Sequence, residues 1–287
     1  MTFQLDHIVI AVHDLEQSIT DYGALGFQVL RGGDHPGRVT HNALVVFADG
    51  SYFELIAFRA PAPDERWWQL LQKHGEGIVD FALLPQDTAA TVASAKDRGL
   101  ELLGPLDGGR LRPDGEQLRW QTARPPSPDL PFLCGDLTPR RLRVPEGEAR
   151  VHPNGARGVA SLAIAVDDLD ATLVRYRALL GEGAQAHGVS LGEAVSLPGR
   201  GERIAILRLG ASSLVLSSPR EVAGLPFSPL AAHLALRGQG PYALVLHTSQ
   251  TDQPQALLDL TASHGAPIEF APSGDVAAAP AAAANAA

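Results

Sequence analysis

One segment of this chain occurs twice. Ile10 to Leu25 reads IAVHDLEQSITDYGAL and Ile164 to Leu179 reads IAVDDLDATLVRYRAL, and at a constant offset of 154 eight of the sixteen positions are identical. Identity at that density over a fixed offset implies duplication, so whatever the first copy folds into, the second folds into as well. Both copies have the same physical form. A short apolar run suits a buried strand. An aspartate follows where a helix N-cap belongs, Asp14 and Asp168. Apolar residues then recur at helical spacing, Leu15, Ile19 and Tyr22 in one copy and Leu169, Leu173 and Tyr176 in the other. Gly26 and Gly181 close the helices.

Strand-like segments follow each helix. After the first come FQVLRGG, THNALVVFADG and SYFELIAF, with turn signals at Gly32-Gly33-Asp34 and Asp49-Gly50, which makes a βαβββ unit. A second unit begins near Gly77 with IVDFALLP and a helix from Asp87 to Gly99, after a linking helix that carries Trp67-Trp68. It continues with ELLGP, QLRWQTA and LPFLCGD. A third unit starts at Gly158, and a fourth at Gly240 with YALVLHT, a helix ending at Gly265, and PIEF, where the pattern runs out. The expected fold class is α+β, with tandem βαβββ modules forming curved mixed sheets, duplicated. The expected divisions are a first half at 1–138 with two units, a Pro-, Gly- and charge-rich connector at 139–157, a degenerate second half at 158–270, and an Ala-rich tail at 271–287.

Composition removes several classes of function. Twenty-three basic against thirty-two acidic residues give a net charge of -9, and the only basic cluster is Arg140-Arg141-Leu142-Arg143, which argues against a nucleic-acid partner held by phosphate contacts. Cys134 is the single cysteine, so there is no intrachain disulfide and no cysteine-based zinc site; it reads as a small buried hydrophobe. No leader-type segment opens the chain and no uncharged apolar run reaches the roughly 18 residues of a membrane span. The expectation is a cytoplasmic protein with no membrane partner, a monomer or homodimer. P-loop, GxGxxG, GxSxG and HExxH patterns are absent.

LDHIVIAVHDLEQSITDY followed by strands ending in YFELIAF resembles the vicinal oxygen chelate superfamily, and within it the glyoxalase-like branch. The resemblance implies paired βαβββ units that form a cup, with a divalent metal on the inner wall held by residues of the first and last strand of each unit. Carried over by position, the ligands are His7 and Glu54. The first-strand position of the second unit falls at Asp80, where many active members have histidine, and the last-strand position falls near Cys134 to Asp136. The third unit has Ser161 in place of His7, and SSLVLSS puts an apolar residue or serine in place of Glu54, so a metal belongs to the first half.

Elementary chemistry supports part of this set. A glutamate in the middle of an apolar strand needs a cation, a donor or a wet cavity, because an unpaired buried charge is costly. His41 precedes an apolar strand, and two histidines with one glutamate are the ligand set of a facial-triad iron site; either Asp80 or His41 completes the metal set. Glu54 is also the candidate catalytic residue, shuttling a proton. Candidate substrate-binding residues are Asn42, Trp120, Arg119 and, as a lid residue from the connector, His152; Arg124 joins Arg119 as a candidate for a substrate carboxylate. His35, in Asp34-His35-Pro36-Gly37, reads as a loop residue. The resemblance implies a metal-dependent lyase, isomerase or dioxygenase acting on a small organic substrate with one divalent ion of iron, manganese, nickel or zinc. The alternative is a metal-free small-molecule binding or sequestration protein of the drug-resistance type.

Overall fold

The structure is a computed structural model that describes residues 3–111, 115–181, 188–220, 228–250 and 257–272. In the first half the order is β1 (Phe3–Ala11), α1 (Leu15–Ala24), β2 (Leu30–Asp34), β3 (Thr40–Val46), β4 (Tyr52–Phe58), α2 (Arg66–His74), β5 (Gly77–Pro85), α3 (Thr88–Asp97), β6 (Leu103–Leu111), β7 (Gln117–Arg124) and β8 (Phe132–Asp136). These strands form one eight-stranded sheet in the order β2-β3-β4-β1-β5-β8-β7-β6. β1 pairs parallel to β4 and antiparallel to β5, so the two units meet along their first strands.

The second half follows the same plan with less of it. β9 (Ala156–Ala165), α4 (Leu169–Leu180), β10 (Val189–Leu191), β11 (Val195–Leu197), β12 (Glu202–Leu209) and β13 (Ser212–Pro219) are followed by α5 (Pro229–Arg237), β14 (Gly240–Thr248) and β15 (Ile268–Pro272). They form a seven-stranded sheet in which β9 again lies between a parallel and an antiparallel neighbour. The duplicated α+β architecture of curved mixed sheets is therefore borne out. One element differs from expectation: turns over residues 260–265, with His264 at φ 52°, stand where a helix ending at Gly265 was expected. The Ala-rich tail from residue 273 onward lies outside the described residues. Among the described residues no helix is long and apolar enough to cross a membrane.

The repeated segment explains itself physically. Asp14 accepts from the backbone N–H groups of Glu16 and Gln17, and Asp168 from that of Ala171, which satisfies donors that a helix N-terminus leaves without partners. The repeated tyrosine ties the halves together. Tyr22 Oη donates to the Ser263 carbonyl at 3.0 Å, and Tyr176 Oη donates to the Asp129 carbonyl at 2.9 Å, so each half reaches into the other. One core runs through both: Ile8, Ile10 and Phe53 of the first sheet share a buried cluster with Leu162, Ile164 and Leu214 of the second. Strand side chains alternate, so His7, Val9 and Ala11 stand on the opposite face of β1 from Ile8 and Ile10. The sheets are thus back to back, and the first sheet's other face curves round a cavity. Replacing Tyr22 by Phe is expected to lower the unfolding free energy by about 1 kcal/mol, because a buried hydrogen bond between the halves is lost while the Ser263 carbonyl keeps only the Ala266 N–H; urea denaturation checks this, with Tyr176→Phe as the matching variant.

Candidate active site

The cavity has a volume of about 570 Å³ and is lined from β1, β3, β4, β6, β7 and β8, the turn after β2, and α2. His7 is buried on its floor. Register shifts between Leu5 and His7 in the β1–β5 ladder, a bulge that leaves Asp6 unpaired in it. A bulge re-aims side chains, and here the adjacent Asp6 and His7 come together, with Asp6 Oδ2 2.7 Å from His7 Nδ1. The ring of His7 stacks on Tyr52 at 4.7 Å and meets the edge of Phe132 at 5.2 Å.

Asp6 is fully buried and is neutralised by the segment after β8. Arg143 donates to both Asp6 oxygens at 2.9 and 3.1 Å, to Asp136 of β8 and to Tyr52 Oη of β4. Arg140 adds a contact at 2.5 Å. Burial alone would push the Asp6 carboxyl up, but the Arg143 guanidinium, the His7 hydrogen bond and Arg140 hold it well below the usual carboxylate range.

Glu54 lies at the centre of the site. Asn42 Nδ2 donates to its Oε1 at 2.6 Å. His7 Nε2 lies 3.5 Å from Oε2 and His35 Nε2 lies 3.4 Å from Oε1. Burial opposes ionisation, yet hydrogen bonding and charge from His35, charge from His7 and the Asn42 donor bring the carboxyl down to about 2. His35 is the residue that sequence reasoning left in a loop. It follows β2 directly, and its Nδ1 lies 2.7 Å from Thr40 Oγ1 across the hairpin.

Each imidazole therefore has Nδ1 engaged, by Asp6 or by Thr40, and Nε2 turned toward one carboxylate. As an imidazolium each ring directs Nε2–H and positive charge at Glu54, 3.5 and 3.4 Å away, and so lowers its carboxyl; once Nε2 gives up that proton the same two lone pairs, that of His35 also 3.2 Å from Asn42 Nδ2, are placed to take a cation. Separations of that size, roughly 3–3.5 Å, are those of ligands about a shared divalent cation. Two imidazoles and a carboxylate are a donor set that suits iron, manganese, nickel or zinc, with Asp6 and Thr40 orienting the rings from behind. Asn42 turns its Nδ2 to this cluster and its buried Oδ1, without a hydrogen-bond partner, to the Gly32 backbone. The three ligand atoms do not all lie within 4.8 Å of one another, so one ion held by all three draws the imidazoles inward. Asp6, His7 and Cys134 are that close, but Asp6 is already matched by two guanidinium groups and burial pushes the Cys134 thiol up to about 12, so this trio is a poor cation site.

The other residues singled out from sequence separate into two groups. Asn42 and Trp120 line the cavity. Asp80 is the pseudo-symmetric counterpart of His7, since His7 pairs with Ala82 and Asp80 with Val9. Its carboxylate is occupied by Arg66 at 2.6 Å, Trp67 Nε1 at 2.8 Å and the Phe81 N–H at 2.9 Å, and it does not reach Glu54. By the same symmetry the counterpart of Glu54 is Phe132, which pairs with Ala82 as Glu54 pairs with Val9, and not a residue in 134–136. His41 is kept apart from the site: Thr40, Asn42 and Leu44 of β3 line the cavity, and His41, one residue out of phase, lies by Arg59, Asp34 and Glu16. Arg119 is exposed on the outer face of β7. His152 is no lid; it is buried against Phe27 and Phe47, accepting from the Gln28 N–H at 3.0 Å and bonding the Val46 carbonyl at 3.0 Å. In the second sheet, Ser161 pairs with Ser213 and Ala163 with Val215, which puts Val215 where Glu54 stands.

A family model described as a glyoxalase-like domain matches residues 5–180. No curated protein matches the sequence. Among solved structures, a hypothetical protein from Staphylococcus aureus aligns with a TM-score of 0.67 at 14% identity over 94% of this chain and 99% of its own. A mutant of 4-hydroxymandelate synthase from Streptomyces coelicolor aligns at 0.60 and 16% over 87% of this chain and 72% of that one. A xylose isomerase-like TIM barrel/4-hydroxyphenylpyruvate dioxygenase fusion protein aligns at 0.52 and 16%, and this chain spans only 36% of it. At these identities the likeness is one of fold.

Arg143→Met is expected to destabilise the protein by about 3 kcal/mol or more at neutral pH, because Asp6 keeps a buried charge with one partner fewer. A depressed carboxyl contributes stability above its unfolded value and loses it as pH falls through its folded value. The deficit of the variant should therefore narrow toward about pH 4 and below, where the Asp6 of the variant takes up a proton; denaturation curves at both pH values test it.

Proposed function

The chain belongs to the glyoxalase-like domain family of the vicinal oxygen chelate superfamily, and on that premise we propose that it is a metal-dependent enzyme acting on a small organic molecule in the first-sheet cup. The observation that carries this reading is the pair of Nδ1-anchored imidazoles, His7 and His35, turning Nε2 toward the two oxygens of Glu54. His7, His35 and Glu54 would hold the ion, which when bound supplies a Lewis acid for a substrate oxygen. Glu54 is ionised at neutral pH, since its carboxyl lies at about 2. So weak a base suits a ligand better than a proton shuttle. Asn42 holds the Glu54 carboxylate in place, and Trp67, Trp120 and Phe132 exclude water from the other wall.

A second reading, a metal-free binding protein, has two observations in its favour: Glu54 already has a donor in Asn42, and Phe132 stands at the position in the second unit that corresponds to Glu54. Metal content separates the two. Tag-free protein purified without chelator is expected to carry about one equivalent of a divalent transition metal per chain by elemental analysis. His7→Ala, His35→Ala and Glu54→Ala should each lose it, whereas His41→Ala keeps it. Wild-type protein that takes up no iron, manganese, nickel or zinc would overturn the enzyme reading in favour of the binding protein.

A further inference from the structure

The wall of the cup facing away from Glu54 carries a cation whose one ion pair among the described residues is a long contact to an already bonded carboxylate. Arg124, at the end of β7, spreads its guanidinium over the faces of Trp67 and Phe132, 4.9 and 5.2 Å from the ring centroids. It makes no hydrogen bond to a protein acceptor among the described residues. The nearest carboxylate oxygen, Asp80 Oδ2, is 3.9 Å away and already accepts from Arg66 and Trp67. Burial presses the Arg124 pKa downward, the mark of a charge whose lost hydration is incompletely replaced. The other arginines at the cavity differ. Arg143 is spent on Asp6 and Asp136, Arg110 donates to the Gly32 carbonyl, and Arg38 is exposed at the rim.

We propose that Arg124 anchors the carboxylate of an organic anion whose flat apolar body lies along Trp67, Phe132 and Trp120, with an oxygen at its far end directed to His7 and Glu54. The Phe132 ring lies between the two ends of the cup: the Arg124 guanidinium and the His7 ring are each 5.2 Å from its centroid, so the two polar ends are no more than about twice that far apart, within reach of one small aromatic anion. Arginine suits the role because its planar fork takes a carboxylate through two parallel hydrogen bonds while its faces remain stacked on rings. The acidic residues at the rim, Asp64 and Glu65, are exposed and solvated, and leave the inner charge positive at this end. The inference rests on the cup being the functional site, as proposed above, and adds the class of compound it takes.

The test uses 4-hydroxybenzoate, which has a carboxylate and an oxygen at opposite ends of one ring, and 4-hydroxybenzyl alcohol, its neutral counterpart. Binding to the full chain is followed by calorimetry and by quenching of tryptophan fluorescence, with protein both as purified and after chelator treatment. The acid should bind one per chain and roughly ten- to a hundredfold more tightly than the alcohol, the difference expected for a charge-assisted pair. Arg124→Gln should remove that preference, while Arg119→Gln keeps it. Equal binding of acid and alcohol by the wild type, no binding of the acid at millimolar concentration, or a preference that survives Arg124→Gln would each overturn the proposal. The comparison of acid with alcohol on wild-type protein needs no variant to fold. Acid preference without any metal uptake would defeat the metal-dependent reading and leave the Arg124 subsite standing; metal uptake without acid preference would do the reverse.

Discussion

The Arg143–Asp6 pair is the interaction on which the site is built. Asp6 is a fully buried carboxylate, and without a cation it would not stay ionised there. Arg143 supplies that cation from the segment after β8 and in the same reach bonds Asp136 of β8 and Tyr52 of β4. One guanidinium thus joins three strands beneath the cup. The consequence for chemistry is local: an ionised Asp6 fixes the His7 tautomer, and the fixed tautomer presents Nε2 to Glu54. Such a buried pair adds little to net stability over a well-packed apolar alternative, yet it selects one geometry among many. That suits a position where the direction of a ring matters more than the tightness of the core.

Duplication supplied four unit-level positions for a first-strand histidine and last-strand carboxylate, and only the first unit has both. Asp80 and Phe132 occupy the second, and Ser161 and Val215 the third. The second imidazole beside Glu54 is that of His35, on the turn between β2 and β3, outside the pattern that the repeat defines. The second-unit wall has acquired a different character, with Asp80 tied to α2 and Arg124 lying over aromatic rings. The cup is polar and anionic on one side, and cationic and aromatic on the other.

Much of the fold was legible because its signals are local and repeated: an aspartate cap, a helical apolar stripe, a closing glycine and strands with turns between them. The fourth unit misled because an apolar segment ending in glycine reads as a helix, whereas the chain makes successive turns there. Within the site, His7 and Glu54 were legible from position and from the cost of burying a carboxylate. His41 illustrates what pairing adds. Once Leu44 is seen to lie opposite Glu54 in the β3–β4 ladder, the two-residue period of a strand puts Asn42 and Thr40 on the cavity face and His41 on the other. His35 was hidden because its place depends on the path of a turn, which no periodicity describes. Arg143 was visible only as part of a basic run in the connector; its role depends on the burial of Asp6, an acid that demands a cation from elsewhere in the chain and that the sequence pattern alone did not single out.

The reciprocal tyrosines give the second half a meaning apart from ligands. Tyr22 is satisfied by a backbone carbonyl of the second half and Tyr176 by one of the first, and the apolar faces of both sheets close on a single core. Neither sheet has a finished surface without the other. The chain is built like a heterodimer written in one polypeptide, in which one member carries the cup and the other closes the core behind it.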